Sequence, residues 1–174
     1  LQIYEPNPRI EMKKTGIFYG STTGTAETLA GVIASKLNVD ASDVYDVASA
    51  SADLVDGYDL LVLGTSTWGA GDLQDDWQDF IGKLKARDLT GKTVALFGCG
   101  DSYTYDSTFC DGVGTIYEEL KGTGCAFCGA YEPSGYNFSA TTALVDGKLV
   151  GLLVDEVNEE DQTPERMEKW LAAF

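Results

Sequence analysis

Three stretches combine residue types and spacings that could do chemistry. The first is Gly20-Ser21-Thr22-Thr23-Gly24-Thr25-Ala26-Glu27. A helix-periodic segment follows it, so the stretch opens a helix. A helix start presents unpaired N–H groups and the positive end of the helix dipole. The hydroxyls of Ser21, Thr22, Thr23 and Thr25 add further donors. No Lys or Arg occurs between Lys14 and Lys36, so an anion held here is held by neutral groups. A phosphate monoester suits that arrangement, because its several oxygens can take many N–H and O–H bonds. The Gly-Lys-Ser/Thr ending of a P-loop is missing. The alternative is a hydroxyl-rich helix cap. The second stretch is Thr65-Ser66-Thr67-Trp68-Gly69-Ala70-Gly71-Asp72. A Trp in a Gly-rich loop covers something flat, or plugs the edge of a sheet. The third is Gly98-Cys99-Gly100-Asp101-Ser102-Tyr103-Thr104-Tyr105-Asp106. Its Gly98-x-Gly100 followed by Tyr103 fails the dinucleotide fingerprint G-x-G-x-x-G. It does put Tyr103 and Tyr105 in a loop. A phosphate nest between two aromatic loops describes a site for a planar ring that carries a phosphate.

The elements between these loops alternate. Thr15 to Tyr19 is a short apolar run. Leu29, Val32, Ile33 and Leu37 mark one helical face. Val44 to Val47 reads as a strand, and a short helix over Ala52 to Val55 stops at Gly57. Leu60 to Leu63 is continuously apolar, as in a parallel sheet covered on both faces. Trp77, Phe80, Ile81 and Leu84 predict a second helix. Val94 to Phe97 is another buried strand. Phe109, Val113, Ile116 and Leu120 form the next helical stripe, with Gly122 as its stop. A fifth strand starts at Cys125 to Tyr131, is interrupted by the turn-rich stretch from Glu132 to Gly147, and resumes at Gly151 to Val154. Asp146-Gly147 is a hairpin signal. The last helix takes Thr163 as N-cap and Pro164 at its first position, with Met167, Trp170, Leu171 and Phe174 as its buried stripe. The fold expected is α/β, a doubly wound five-stranded parallel sheet with helices on both faces and an interrupted fifth strand. In such sheets ligands sit beyond the carboxyl ends of the strands, where the three loops fall.

Charge and composition exclude several classes. Twelve Lys and Arg against 28 Asp and Glu give a net charge of -16 in 174 residues. A nucleic-acid binder needs a basic footprint, and an anionic membrane surface would be repelled. No apolar run is long enough for a membrane helix. The chain has no His, which excludes His-based triads and imidazole metal sites. The start lacks the apolar core of a signal peptide, so a cytoplasmic protein with reduced cysteines is expected. Cys125-Ala126-Phe127-Cys128 is formally C-x-x-C, but it lies in a strand, where positions i and i+3 face opposite ways. Cys99 and Cys110 do not complete a zinc set with it. Met12-Lys13-Lys14 reads as an original start, which makes residues 1–11 a tag or loose extension and 12–174 a single domain.

From about Lys13 to Phe174 the chain resembles the flavodoxins, small proteins that carry one electron at a time on FMN. The motifs are Gly20-Ser21-Thr22-Thr23-Gly24-Thr25, Gly64-Thr65-Ser66-Thr67-Trp68, Ala95-Leu96-Phe97-Gly98-Cys99-Gly100-Asp101, and Asp146 to Leu152 with Val154-Asp155-Glu156 after it. The interrupted fifth strand resembles the long-chain subgroup. The resemblance implies a low-potential carrier that shuttles non-covalent FMN between semiquinone and hydroquinone. It implies that Ser21, Thr22, Thr23, Gly24, Thr25 and Ala26 cradle the phosphate. Trp68 would cover the inner face of the ring and Tyr105 the outer, with Tyr103 close by. Thr67 and Asp155 would lie near the ribityl hydroxyls, with Thr65, Ser66 and Gly69 also among the cofactor-binding residues. Cys99, Gly100, Asp101 and Cys110 would line the pyrimidine edge. The implied partners are basic redox proteins, such as an NADP-dependent flavodoxin reductase and ferredoxin-dependent enzymes, met by a monomer. Asp72, Asp75, Asp76, Asp106 and Glu156 would form an acidic rim for them.

Three positions depart from the family pattern. Ala26 stands where Thr is usual, which removes a phosphate hydroxyl and about 1 kcal/mol of binding. Ser66 replaces a common Pro. Gly69 replaces a bulkier residue at the peptide whose flip supplies a carbonyl to reduced flavin, and Gly makes that flip easy. The acidic surroundings penalise an anionic reduced ring and lower its second potential. The enzyme alternative on the same fold is an FMN-dependent quinone or nitro reductase. A response-regulator-like domain needs clustered acids after the first strand, and Phe18-Tyr19-Gly20 offers none.

Overall fold

Strands and helices form where the apolar pattern demands burial on two faces or on one. The computed structural model describes residues 14–174. The strands are β1 Thr15–Gly20, β2 Val44–Asp46, β3 Leu60–Trp68, β4 Asp72–Leu73, β5 Thr93–Cys99, β6 Ala126–Cys128, β7 Leu144–Val145, β8 Lys148–Leu149 and β9 Gly151–Val154. The α-helices are α1 Thr25–Leu37, α2 Asp75–Lys85, α3 Asp111–Leu120 and α4 Thr163–Ala172, and Ala41–Asp43, Ala52–Gly57 and Glu160–Gln162 form short 3-10 turns. The proposed extension at residues 1–11 lies outside the described residues.

The main sheet runs β2-β1-β3-β5-β6, all parallel. β6 pairs with the first half of β5 through Thr93–Ala95, and β9 pairs with the second half through Leu96–Cys99. The fifth position is therefore one strand in two pieces, as the sequence predicts. The β7–β8 hairpin lies in the intervening stretch. Its turn places Asp146 at φ 52° and Gly147 at φ 80°, the pair of positive values a type I′ turn requires.

Burial explains the sheet. Leu60 to Leu63 and Val94 to Phe97 are all buried, because helices cover both faces. Trp77 of α2 is fully buried and donates its indole N–H to the Gly64 carbonyl at 2.7 Å. Gly64 must lack a side chain, since a Cβ there would enter the Phe97 ring. Trp170 of α4 packs edge-on to Phe97 from the other face. Among the described residues no helix is long and apolar enough to cross a membrane.

Several local expectations need correction. Thr65 to Trp68 is not a loop: β3 continues through it, because β5 and β4 supply partners as far as Ser66↔Cys99 and Trp68↔Asp72. Val32 is exposed, and Ala26, Ala30 and Ala34 complete the buried stripe of α1, since small side chains let the helix lie close to the sheet. Phe109 is buried but precedes α3. The first piece of the fifth strand is only Ala126–Cys128, and Tyr131 turns away to bridge Leu149. Thr163 already has helical dihedrals, so it is not the N-cap of α4; its hydroxyl donates to Glu156 instead. Leu171 and Phe174 are only partly covered, whereas Arg166 is buried. Its guanidinium stacks over Tyr136 at 3.8 Å and bonds Gly135 O and Glu159.

Candidate functional site

The first loop leaves β1 at Gly20 and enters α1 at Thr25. Gly24 caps the helix at φ 95°, a left-handed conformation that glycine adopts without strain. No side chain caps α1. Ser21 Oγ is used inside the loop, accepting from Gly24 N at 3.1 Å. The N–H groups of the first helical turn thus face outward without an intrahelical partner. The Ala26 side chain is buried in the core, so only its backbone can serve a ligand. Thr22 and Thr23 are exposed.

β3 ends at Trp68, and a tight turn through Gly69, Ala70 and Gly71 returns the chain as β4. Trp68 is 43% exposed, a large ring left uncovered beside the first loop. Its Nε1 donates to Thr22 Oγ1 at 3.2 Å. Gly69 sits at φ 47°, so the turn already uses a conformation that other residues resist. Thr67 Oγ1 accepts from Gly112 N at 3.0 Å. Thr65, by contrast, is fully buried and donates to Ser66 O, which removes its side chain from the site. Ser66 Oγ is buried and has no protein partner.

The third loop is tied down by two carboxylates. Asp101 Oδ1 accepts from Tyr103 N, Thr104 N and Asn158 Nδ2 at 2.8–3.1 Å. The Thr104 N–H bond is the main cause holding the Asp101 carboxyl below its ordinary value. Asp155 is fully buried. Its Oδ2 takes Ser102 N at 3.0 Å and Ser102 Oγ at 2.5 Å, and its Oδ1 takes Val157 N and Asn158 N at 3.1 and 2.9 Å. Burial pushes the Asp155 carboxyl up, but the bonds from Ser102 and Asn158 outweigh it and leave it below its ordinary value. Asp155 is therefore a brace between two loops, with both oxygens engaged, rather than a group reaching into the ribityl side. Cys110 is also withdrawn: it is fully buried beneath Gly100, its Sγ 3.9 Å from Val154 O. Burial, then the adjacent Cys99, raises its thiol well above the usual value. Cys99 lies on the cavity wall, and burial with the Glu156 charge pushes its thiol up to about 12.

The three loops enclose a cavity of about 160 Å³ lined by Thr23, Thr25, Ser66, Thr67, Cys99, Gly100, Asp101, Tyr105, Glu156 and Val157. Eight of these ten were candidates from sequence. Glu156 and Val157 were not placed on this wall, and no local signal distinguishes them from a solvated loop. Tyr105 is 43% exposed at the rim, and Tyr103 is turned out to solvent at 64%. A larger cavity, about 540 Å³, lies between α1 and α4 and shares Thr23, Thr25 and Glu156 with the first. Its other walls include Leu29, Val32, Pro164 and Met167. Gln74 was also missed. It is buried at the start of α2, with its amide under the first loop. Among the described residues no cluster of carboxylates and cysteines is suited to a metal ion.

Fold and site together define a doubly wound α/β protein whose carboxyl edge joins an open helix N-terminus to the exposed rings of Trp68, Tyr103 and Tyr105. A family model described as flavodoxin matches residues 17–170. Flavodoxin 1 of Salmonella typhimurium is 44% identical over 161 residues, covering 92% of each chain. Flavodoxin 1 of Azotobacter vinelandii is 39% identical over 167 residues, covering 94% of this chain and 96% of its own. The crystal structure of a Fusobacterium nucleatum flavodoxin K13G mutant bound to flavin mononucleotide superposes with a TM-score of 0.85 at 30% identity, covering 93% of this chain and 95% of that one. The chain belongs to the flavodoxin family.

Proposed function

We infer that this chain carries electrons one at a time on non-covalently bound FMN. As a flavodoxin it is an electron-transfer protein rather than an enzyme. The observation that carries the reading is the uncapped start of α1 beside the exposed Trp68 ring. FMN is bound in the Fusobacterium nucleatum relative, and the residues present here suit the same group. The buried Ser66 Oγ without a partner marks a wall built for a polar ligand.

When bound, FMN supplies a ring that takes up and releases single electrons. The chain's own residues bind, orient and shield it. The N–H groups of Thr25 and Ala26 and the hydroxyls of Ser21, Thr22, Thr23 and Thr25 would hold the phosphate, with Gly24 shaping the turn that presents them. The indole of Trp68 and the ring of Tyr105 would flank the flavin, with Tyr103 further out. Ser66 and Thr67 would serve the ribityl hydroxyls, and Cys99, Gly100 and Asp101 the pyrimidine edge. Gly69 would let the Gly69-Ala70 peptide turn over at little cost. Asp101 and Glu156 keep negative charge close to the ring, which disfavours adding a second electron and supports a low potential.

The net charge of -16 supports docking to basic redox proteins, an NADP-dependent reductase upstream and ferredoxin-dependent enzymes downstream. A cytoplasmic monomer fits that traffic, and the split fifth strand supports placement with the long-chain members. The test is titration of apoprotein with FMN, followed by flavin fluorescence. Quenching to one FMN per chain is expected. A protein that leaves added FMN fluorescence unchanged contradicts the reading.

A further inference from the structure

Gln74 is a polar side chain that is 99% buried, since only 1% of it is exposed. Its Oε1 accepts from Asp76 N at 3.1 Å and Trp77 N at 3.2 Å, capping α2. Backbone N–H groups can only donate, so these two bonds fix which end of the amide is oxygen. Nε2 therefore points the other way, donating to Asp76 Oδ2 at 2.8 Å and to Thr22 Oγ1 at 3.2 Å. Gly20 makes room for this amide, because a Cβ there would run into Gln74 Oε1 and the Trp77 ring.

Thr22 Oγ1 consequently accepts twice, from Gln74 Nε2 and from Trp68 Nε1, both at 3.2 Å. A hydroxyl oxygen has two acceptor sites and one proton. Neither neighbouring nitrogen can receive that proton, since both are donors. The Thr22 O–H is left to donate outward, from an exposed residue of the anion loop.

We propose that Gln74 is a positioning residue: it holds Thr22 as an outward hydroxyl donor and so tunes the protein for the phosphate of its cofactor. The proposal rests on the FMN reading above and deepens it. Gln74 is not among the residues that line the cavity. It acts through Thr22, and it links the anion loop to the start of α2. Its effect must therefore depend on the phosphate and not on the ring.

Riboflavin has the ring and ribityl chain without the phosphate, so the comparison of FMN with riboflavin isolates the effect. Apoprotein is titrated with each flavin in wild type, Gln74→Met, Thr22→Val and the double variant. Thermal melts of each apoprotein report folding. The Kd for FMN is expected to rise about tenfold in Gln74→Met, with riboflavin changed by less than about twofold. In the Thr22→Val background the same substitution is expected to lose most of its effect on FMN. Equal weakening of both flavins, or an undiminished effect without the Thr22 hydroxyl, overturns the proposal and leaves Gln74 as a helix cap only. If Gln74→Met does not fold, Gln74→Glu replaces it. That variant keeps the cap acceptor but offers Thr22 an acceptor in place of a donor, so the hydroxyl is drawn inward. Its FMN penalty must then shrink on Thr22→Val; a penalty that stays whole is the added charge alone and overturns the proposal. Failure of wild-type apoprotein to bind FMN at all is the separate failure of the functional reading.

Discussion

Two of the helices that start at the carboxyl edge of the sheet flank Thr22, which precedes α1 in the chain and accepts from the cap residue of α2, and their N-termini are finished in opposite ways. α2 is closed from within. Gln74 accepts from its first N–H groups, and Asp75 and Asp76 meet the positive end of its dipole. α1 is left open: a left-handed Gly24 precedes it, no side chain caps it, and only Glu27 lies in its first turn. The same electrical feature supports the fold at α2 and is left free for a ligand at α1. Hydroxyls rather than cations surround the open end, so a phosphate there would be held by hydrogen bonds.

The largest effect should come from giving α1 the treatment α2 already has. Thr23→Glu places a carboxylate at the open end. FMN affinity should fall at least about a hundredfold, while the apoprotein melts no lower, because an anion there suits the dipole. Fluorescence titration and a thermal melt check the two halves of that expectation. Next, opening α2 should cost stability and not ring binding. Gln74→Ala should lower apoprotein stability by about 1 kcal/mol in a urea titration, with riboflavin affinity held.

The pH dependence separates the open loop from the braced one. Asp101 and Asp155 both sit below the ordinary carboxylate value. Their contribution is fully present above about pH 4 and is lost as pH falls through their lower folded-state values. Asp101→Asn should flatten the acid limb of the stability curve, whereas Thr22→Val should leave it unchanged. The smallest effect concerns the thiols. Cys99 is raised to about 12, and burial raises the Cys110 thiol well above its ordinary value. Neither should react with iodoacetamide at neutral pH until the chain unfolds, which mass spectrometry of labelled peptides would reveal.

Much of this was legible in the sequence, for reasons that mark where legibility stops. Continuous apolar runs at Leu60–Leu63 and Val94–Phe97 announce buried parallel strands. Asp146-Gly147 announces its turn through local backbone preference alone. The first loop was readable because hydroxyls, glycines and a following helical stripe are contiguous. The misses depend on tertiary placement. Asp155 reads as a strand-end carboxylate, but Ser102 and Asn158 decide that it faces inward. The end of β3 reads as loop because its polar residues hide the partners that extend it. Gln74 escaped because Gln is not a usual cap residue, and its contact with Thr22 spans 52 positions. Arg166 escaped because its covering ring, Tyr136, comes from the insertion in the split strand.

The central claim is that the open end of α1 and the ring of Trp68 serve a one-electron carrier. Stepwise anaerobic reduction of the FMN-loaded protein tests it most directly, with absorbance read at each electron equivalent. The account predicts a long-wavelength band that grows to one equivalent and vanishes by two, and no steady oxidation of NAD(P)H without an added reductase. Bleaching straight to the two-electron form, with NAD(P)H consumed by the protein alone, would contradict it.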